Sequence, residues 1–405
     1  MTNHSERRAL QLLTGASAGE MLALALDGIV RSWQVRAVNH RPGAGVSVGY
    51  SVTWDRISHE NSVHEVRVRE DSYIVASTAK IAEANLDAVG AITLYADDLP
   101  VHIWQFPNDP ELPALPTACD PQAVSGLLGG VCDVELLGYR PTRRAVLRVA
   151  CDSGPRYAKV VRPDAIQALI DRHRIFADAA LPTPRIEMST RTGLIITSAV
   201  VGTPLAVSYR HGTNLASIFT SLNRTLDALP PVALDLKYRP AWAERCAHYA
   251  RAAGASIPEI AERTAALSQG ILEVRRSADY GGLVPTHGDF YEANVLVNEG
   301  VVSGLLDLDS LGPGYRADDW GCLLGHLSVL PSLSENYAHV GAIREDWFAR
   351  ACHDADPAAI AASAAGVVLS LVSSARQRGR ADWKVQALTR LAVAEDWLAR
   401  ARLAR

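Results

Sequence analysis

Two carboxylates and an amide, Asp289, Asp307 and Asn294, stand close enough in the sequence to form a catalytic and metal-binding group. Between Asn294 and Asp307, two apolar runs flank the turn-forming residues 298–300, and this pattern predicts a β-hairpin. A hairpin brings the residue before its first strand next to the residue after its second strand. We therefore expect Asn294 and Asp307 to lie close together, with Asp289 just upstream of them.

Such a group can transfer a phosphoryl group to a hydroxyl. In this chemistry Asp289 orients the acceptor hydroxyl and takes its proton, while Asn294 and Asp307 hold the Mg²⁺ that bridges the nucleotide phosphates. Asp309 comes two residues after Asp307, and we expect the two side chains to face opposite ways. It then either fastens the loop or reaches the metal, directly or through water. The competing interpretation makes Asp289 a helix cap and Asp307 an ordinary turn residue.

Two segments, HGDFYEAN beginning at His287 and LLDLD ending at Asp309, resemble motifs of the aminoglycoside phosphotransferase and choline-kinase family. That family is a small-molecule branch of the protein-kinase-like fold, and its motifs read H-G-D-x-x-x-x-N and an apolar strand ending in D-x-[DE]. The resemblance implies ATP and Mg²⁺ as cofactors. The site residues that it implies are Asp289 and Asn294 for catalysis, and Asn294, Asp307 and Asp309 for the metal.

Three basic residues and one acid upstream complete the expected nucleotide site. Lys159 stands in the apolar run YAKVV, where the resemblance places the lysine that reaches the α- and β-phosphates, although a lysine on an edge strand has the same pattern. Arg143 and Arg144 occupy the turn where protein kinases have a glycine-rich loop, so they can meet phosphate oxygens or simply be solvated. The following helix contains no glutamate to pair with the lysine. We expect Asp171, its nearest acid, to pair with Lys159.

Several polar positions near these motifs allow more than one interpretation. His287 can look catalytic, but the resemblance gives it the structural task of bracing the loop. Tyr291 and Glu292 lie beside the expected base, where Glu292 can meet an amino group or hydroxyl of the acceptor or be ordinary loop surface. Asp318 or Asp319 resembles the aspartate that follows the metal strand in the family, and N-capping of the next helix is a sufficient reason for one of them.

Composition restricts the class of protein. Hydrophobic residues make up 48% of the 405 residues, which is enough for a buried core, and the net charge of -4 argues against nucleic acid as a partner. Six cysteines without a C-x-x-C pair indicate neither a zinc site nor a disulfide framework. The N-terminus has no long apolar core and we identify no apolar run of 18 residues, so we expect a soluble, cytoplasmic protein without membrane contact.

The expected fold class is α+β, with three parts. Residues 1–128 combine short amphipathic helices and strand-like runs, and they resemble the N-terminal cap of maltokinase-like and glucosamine-kinase-like members. Residues 129–202 are expected to form an antiparallel-sheet N-lobe, and residues 203–405 a mostly helical C-lobe with the catalytic and metal loops. Together the last two parts predict a bilobal protein-kinase-like fold.

The function that these features predict is a small-molecule kinase that uses ATP. Its acceptor is a sugar, an amino sugar or a cyclitol, or else an aminoglycoside antibiotic whose phosphorylation gives resistance. The cap favours the first class, because antibiotic kinases of the family are shorter by about its length. A third possibility is an inactive kinase fold acting as a binding module, and the joint presence of Lys159, Asp289, Asn294 and Asp307 argues against it. The sequence does not indicate the oligomeric state.

Overall fold

The computed structural model describes residues 3–26, 28–41, 43–60, 64–375 and 382–405, which form two compact units. The first unit holds the described residues up to Ile166 together with Glu187–Ile196, and the second holds the rest. Strands dominate the first unit and helices dominate the second. The predicted α+β class is therefore confirmed.

The first sheet of the first unit has five antiparallel strands in the order β1-β2-β3-β5-β4. Alternate residues of the second strand, including Val48 and Tyr50, are buried against the two N-terminal helices. The elements of this part are α1 (Asn3–Thr14), α2 (Ser17–Ala25), β1 (Gly28–Arg41), β2 (Gly45–Glu60), β3 (His64–Ser77), α3 (Glu83–Ala88), β4 (Ile92–Ala96) and β5 (Leu99–Gln105).

A second five-stranded sheet has the order β6-β7-β8-β10-β9. Its elements are α4 (Leu115–Cys119), α5 (Pro121–Leu128), β6 (Cys132–Arg140), β7 (Arg144–Cys151), β8 (Gly154–Val161), β9 (Ile186–Ser189) and β10 (Leu194–Ser198). Leu115 and Val124 of the two short helices share one hydrophobic core with Leu147 and Val160 of the sheet. The division into 1–128, 129–202 and 203–405 remains a proposal, and this core favours a first boundary nearer to Phe106.

The second unit is built from helices around two small β elements. Its core includes Phe219, which stacks on Trp320 with ring centroids 5.0 Å apart. The helices are α6 (Ile166–Asp178), α7 (Leu205–His211), α8 (Leu215–Asp227), α9 (Cys246–Ser256), α10 (Ala261–Ser277), α11 (Arg316–Val329), α12 (Val340–Ala351), α13 (Pro357–Ser374) and α14 (Trp383–Leu403). The strands are β11 (Thr203–Pro204), β12 (Val284–Thr286), β13 (Val295–Asn298), β14 (Val301–Leu305) and β15 (Gly312–Gly314).

Helix α13 corrects the expectation that the chain has no long apolar run. By length and composition it is apolar enough to cross a membrane, but 72% of it is buried inside the protein. Gly321 of α11 permits this close packing, because a Cβ there would lie 2.4 Å from the Cβ of Ser363. Its burial is that of a core helix.

A disulfide joins Cys132 and Cys151, a bridge that the sequence analysis missed when it found no sign of a disulfide framework. These residues are directly paired across β6 and β7, which brings their Cα atoms within 4.3 Å. The two cysteines are 19 residues apart, which matches no cysteine motif. They are neighbours because of the register between the two strands of the hairpin.

Candidate active site

The predicted hairpin exists and brings the polar residues at its two ends together. Strands β13 and β14 pair antiparallel through a two-residue turn, Glu299 and Gly300, in which both residues have positive φ. The Leu306 N–H donates to the carbonyl oxygen of Asn294 at 2.8 Å, so Asp307 directly follows a residue bonded to Asn294. The expectation that Asn294 and Asp307 are neighbours is confirmed.

Asp289 and Asn294 are in direct contact. The Nδ2 of Asn294 donates to the carbonyl oxygen of Asp289 at 2.9 Å and to its carboxylate Oδ2 at 3.3 Å. The Asn294 side chain is 7% exposed, and its own N–H donates to Tyr291 at 2.9 Å, which closes the loop. Because Nδ2 faces Asp289, the amide Oδ1 is the atom that this geometry leaves for a metal ion.

Asp307 has a left-handed backbone, with φ 55° and ψ 60°. Aspartate and asparagine adopt this conformation more readily than most other residues. Asp309 lies in the 3₁₀ turn Leu308–Ser310 that follows. The expectation that Asp307 and Asp309 face opposite ways is therefore without basis, because side chains two residues apart share a face on an extended strand and neither residue is extended.

The donor set at the end of the hairpin fits Mg²⁺. A carboxylate and an amide oxygen are hard oxygen ligands, and nucleotide-dependent enzymes bind Mg²⁺ through few protein groups and complete its shell with phosphate oxygens and water. Across the described ranges, no group of three or more His, Cys, Asp or Glu side chains is placed to hold a metal ion by itself. Asn294 and Asp307 would hold part of a shared site rather than a closed protein cage.

His287 braces the loop that contains Asp289, as predicted. Its side chain is 1% exposed, its Nε2 donates to the Leu306 carbonyl at 3.0 Å, and its Nδ1 accepts the Asp289 N–H at 3.4 Å. Burial lowers the pKa of His287, so the ring is neutral when it makes these two bonds. The imidazole links the start of the loop to the end of β14.

Asp319 fixes the same loop, a role that the capping interpretation missed. Its buried carboxylate accepts the N–H of His287 at 3.0 Å and that of Gly288 at 2.9 Å. Burial raises the pKa of Asp319 to about 6, and the two N–H donors act against this rise. One signal for this role was available in the sequence. Asp319 resembles the aspartate that follows the metal strand in the family.

Asp318, next to Asp319, has a different task. Helix α11 begins at Arg316 after Tyr315, so neither aspartate is an N-cap. Asp318 accepts two bonds from Arg275, at 2.9 and 3.2 Å, and a third from the Ser363 hydroxyl at 2.7 Å. It therefore ties α11 to α10 and α13.

Glu292 is not ordinary loop surface. It is 6% exposed, and its Oε2 has no hydrogen-bond partner among the residues that the structure describes. Burial raises the pKa of Glu292 to about 7, and the neighbouring Asp289 carboxylate adds to the rise. The ring of Tyr291 stacks on His326, with centroids 4.0 Å apart.

Lys159, Arg143 and Arg144 belong to the first unit. Lys159 lies on β8, which is the central strand of the second sheet, so the edge-strand interpretation is wrong. Arg144 pairs with Val161, two residues beyond Lys159, and side chains two residues apart share one face of a sheet. Arg144 and Lys159 therefore share a face, opposite to the one on which Ala158 is buried. Arg143 is exposed in the turn before β7.

Asp171 lies on α6 in the second unit, and its side chain contacts two other residues of the same helix. Its carboxylate accepts from Gln167 Nε2 at 2.8 Å and lies 3.6 Å from the Arg174 guanidinium, and the side chain is 47% exposed. The expected pairing of Asp171 with Lys159 stays a prediction.

Comparison with known proteins agrees with the predicted resemblance. The model of the phosphotransferase enzyme family matches residues 138–361, which is more than half of the chain. No curated protein matches the chain. A thermostable mutant of aminoglycoside phosphotransferase APH(4)-Ia, in a ternary complex with ADP and hygromycin B, shares 14% identity at a TM-score of 0.50, over 68% of this chain and 98% of that one.

A candidate aminoglycoside phosphotransferase from Ralstonia eutropha JMP134 has the same fold. It also shares 14% identity at a TM-score of 0.50, over 71% of this chain and 99% of that one. The protein-kinase-like fold class predicted from the sequence is confirmed by these similarities.

Proposed function

The chain belongs to the phosphotransferase enzyme family, and on that premise we propose that it transfers the γ-phosphoryl group of ATP to a hydroxyl of a sugar, an amino sugar or a cyclitol. Its enzymatic class, a phosphotransferase with an alcohol group as acceptor, follows from the family. A cytoplasmic location, where ATP is available, is part of the proposal.

The observation that carries the proposal is the contact between Asp289 and Asn294 at the base of the hairpin. Asp289 would accept the proton of the acceptor hydroxyl while the hydroxyl oxygen bonds to the γ-phosphorus and the bond to the β-phosphate oxygen breaks, releasing ADP. The Asn294 Nδ2 holds the Asp289 carboxylate in place at 3.3 Å. Bound Mg²⁺ would supply charge neutralisation of the phosphates, with the Asn294 amide oxygen and Asp307 as its protein ligands and Asp309 as a further candidate.

The basic face of the second sheet would bind the nucleotide phosphates. Lys159 and Arg144 point to the same side of the sheet, and Arg143 stands at the exposed turn. Arginine offers paired N–H donors that match phosphate oxygens. The pairing of Asp171 with Lys159, predicted from the sequence, is kept as part of the proposal.

Two classes of acceptor compete. Residues before 138 lie outside the family match, so the chain carries a long N-terminal part of its own, which supports the sugar-type acceptor. The second candidate is an aminoglycoside, and the similar fold of APH(4)-Ia in complex with hygromycin B supports it. Buried Glu292 lies three residues after the proposed base Asp289 and would be a candidate contact for either acceptor.

The test is a screen for ADP release by the full-length protein with ATP and MgCl₂. The panel contains neutral sugars, amino sugars, cyclitols and aminoglycosides, and mass spectrometry identifies the phosphorylated product. We expect a sugar-type compound to stimulate ADP release. Stimulation by aminoglycosides alone would establish the second candidate, and ADP release that no hydroxyl compound stimulates would contradict both.

Asp289→Asn is the diagnostic variant for this reaction. It keeps the shape of the side chain but cannot accept a proton, so turnover should fall by roughly 10²–10⁴ while nucleotide affinity is retained. Asp279→Asn is the matched control, because this loop aspartate of the same unit accepts the Gly281 N–H. Turnover of Asp289→Asn within a few-fold of the wild type would remove Asp289 from the role of base.

A further inference from the structure

The turn between β6 and β7 has an unusual backbone at its centre. Thr142 has a φ of 60°, a value that a β-branched residue seldom adopts. It is 4% exposed, whereas the arginines on either side of the Pro141–Thr142 pair are exposed. Such a conformation persists only when surrounding groups hold it in place.

Side chains from outside the turn hold both backbone groups of Thr142. Its N–H donates to the Asp109 carboxylate at 2.8 Å, and its carbonyl accepts from Arg162 Nε at 2.7 Å. Arg162 in turn lies 3.1 Å from the carboxylate of Glu111. Asp109 is itself 1% exposed and also accepts the Glu111 N–H, at 2.9 Å.

The same carboxylate connects the turn to the first sheet. Tyr139 donates its hydroxyl to Asp109 at 2.6 Å, and this hydroxyl accepts from the indole Nε1 of Trp104 on β5 at 3.2 Å. The ring of Tyr139 also packs edge-on against Tyr73 of β3, with centroids 6.4 Å apart. A continuous chain of contacts therefore leads from the first sheet through Tyr139 and Asp109 to Thr142.

We propose that Asp109 and Tyr139 are positioning residues for nucleotide binding, through which the N-terminal region sets the shape of the arginine turn. The inference rests on the proposed function, in which Arg143 and Arg144 meet the phosphates. A turn already held in its binding conformation loses less entropy when the nucleotide binds. Without the Asp109 bond, Thr142 relaxes toward negative φ, and the arginines that flank it change direction.

The experiment measures Mg·ATP binding to the full-length protein by calorimetry. Asp109→Asn leaves one of the buried donors without its acceptor, and the dissociation constant should rise by roughly tenfold or more. Tyr139→Phe removes the hydroxyl alone and serves as the milder variant, with an increase of roughly three- to tenfold. In steady-state assays the KM for ATP should rise in the same proportion, while the KM for the acceptor stays unchanged.

Matched controls separate positioning from general stability. Asp55→Asn alters a buried aspartate of the first sheet that pairs with Arg31 and Arg69, and Tyr50→Phe removes a buried hydroxyl that donates to Leu13. Both controls should lower the melting temperature and leave the affinity for Mg·ATP within twofold of the wild type.

Two outcomes overturn the inference and are distinguishable from each other. If Asp109→Asn and Tyr139→Phe are folded and bind Mg·ATP as the wild type does, while Arg144→Ala or Lys159→Met loses affinity, the positioning role is wrong and the proposed phosphate site stands. If Arg144→Ala and Lys159→Met also bind normally, the proposed phosphate site is wrong and the inference falls with it.

Discussion

Asp307, a proposed metal ligand, has a backbone conformation that few residue types tolerate. Its left-handed φ of 55° turns the chain out of β14 and into the 3₁₀ turn that contains Asp309. Replacement by alanine would remove the carboxylate and also disturb this turn, so the two effects could not be told apart. Asparagine tolerates the same conformation and lacks only the charge.

Asp307→Asn should therefore test metal binding by Asp307 without disturbing the turn. We expect the Mg²⁺ dependence of nucleotide binding to be lost and turnover to fall by roughly 10² or more, because a metal ion supplies several kcal/mol of charge stabilisation. Asp309→Asn is the comparison and should have a milder effect. Calorimetry with and without MgCl₂ checks both variants, and a larger loss in Asp309→Asn would move the metal site by two residues.

Because the pKa of Glu292 is raised in the folded protein, we expect the stability of the protein to depend on pH. This pKa of about 7 lies above the ordinary value of 4.5, so the folded protein holds this proton more tightly than the unfolded chain does. The resulting contribution to stability is complete below pH 4.5 and is lost as the pH rises through 7. Glu292→Gln does not titrate, so it lacks this dependence.

The free energy of unfolding of the wild type relative to Glu292→Gln should accordingly decrease between pH 4.5 and 7, by up to a few kcal/mol, and then level off. Urea unfolding of both proteins at a series of pH values measures the difference, and all other titrating groups are common to the two. A constant difference would show that the pKa of Glu292 is the same in the folded and unfolded protein, and an increase across this range would show that folding lowers it; either outcome contradicts the prediction.

At the scale of elements, the β13–β14 hairpin positions the proposed site, and the turn between the two strands sets their register. Glu299 and Gly300 both have positive φ, which is the requirement of the tight turns that join such strands. Glycine adopts a positive φ readily at position 300, whereas glutamate at position 299 does so only with strain. A Cβ at Gly300 would lie 2.5 Å from the Ser217 hydroxyl, so close contact adds to the backbone requirement.

Glu299→Asn should stabilise the protein by roughly 0.5–1 kcal/mol, because asparagine tolerates positive φ at the first turn position. Gly300→Ala should destabilise it by about 1–3 kcal/mol through backbone strain and the contact with Ser217. Thermal unfolding checks both, with unchanged turnover expected for Glu299→Asn. A lower melting temperature for Glu299→Asn would mean that the Glu299 side chain makes a favourable contact that outweighs its strain.

The elements also show which features a sequence can predict. The hairpin was predictable because two apolar runs and a turn are local signals, and their pairing follows from the chain direction. Asp319 was harder to assign, because the groups it binds are the backbone N–H of His287 and Gly288, which leave no trace in residue types. The reasoning about Asp307 and Asp309 was wrong, because side chains two residues apart share a face on an extended strand and neither residue is extended.

At the scale of the whole molecule, the two units obtain their stability from different sources. The second unit has one large hydrophobic core that includes α13, while the first unit has two smaller cores, one for each sheet. The Cys132–Cys151 disulfide belongs to the smaller of these two cores and closes a loop of 19 residues. This bridge could not be predicted from spacing, since it depends on the register between β6 and β7.

These separate cores predict two thermal transitions in scanning calorimetry, one for each unit. Exchange of both bridged cysteines, Cys132→Ser with Cys151→Ser, should destabilise the first unit by about 3 kcal/mol, because the unfolded chain regains the freedom of the closed loop. We expect the transition temperature of the first unit to fall by roughly 5–10 °C while that of the second unit is unchanged. Glu299→Asn should raise the transition temperature of the second unit, to which it belongs, and leave that of the first unit unchanged. Reduced wild-type protein should behave as the double variant does. A single transition that both substitutions shift would show instead that the units unfold together.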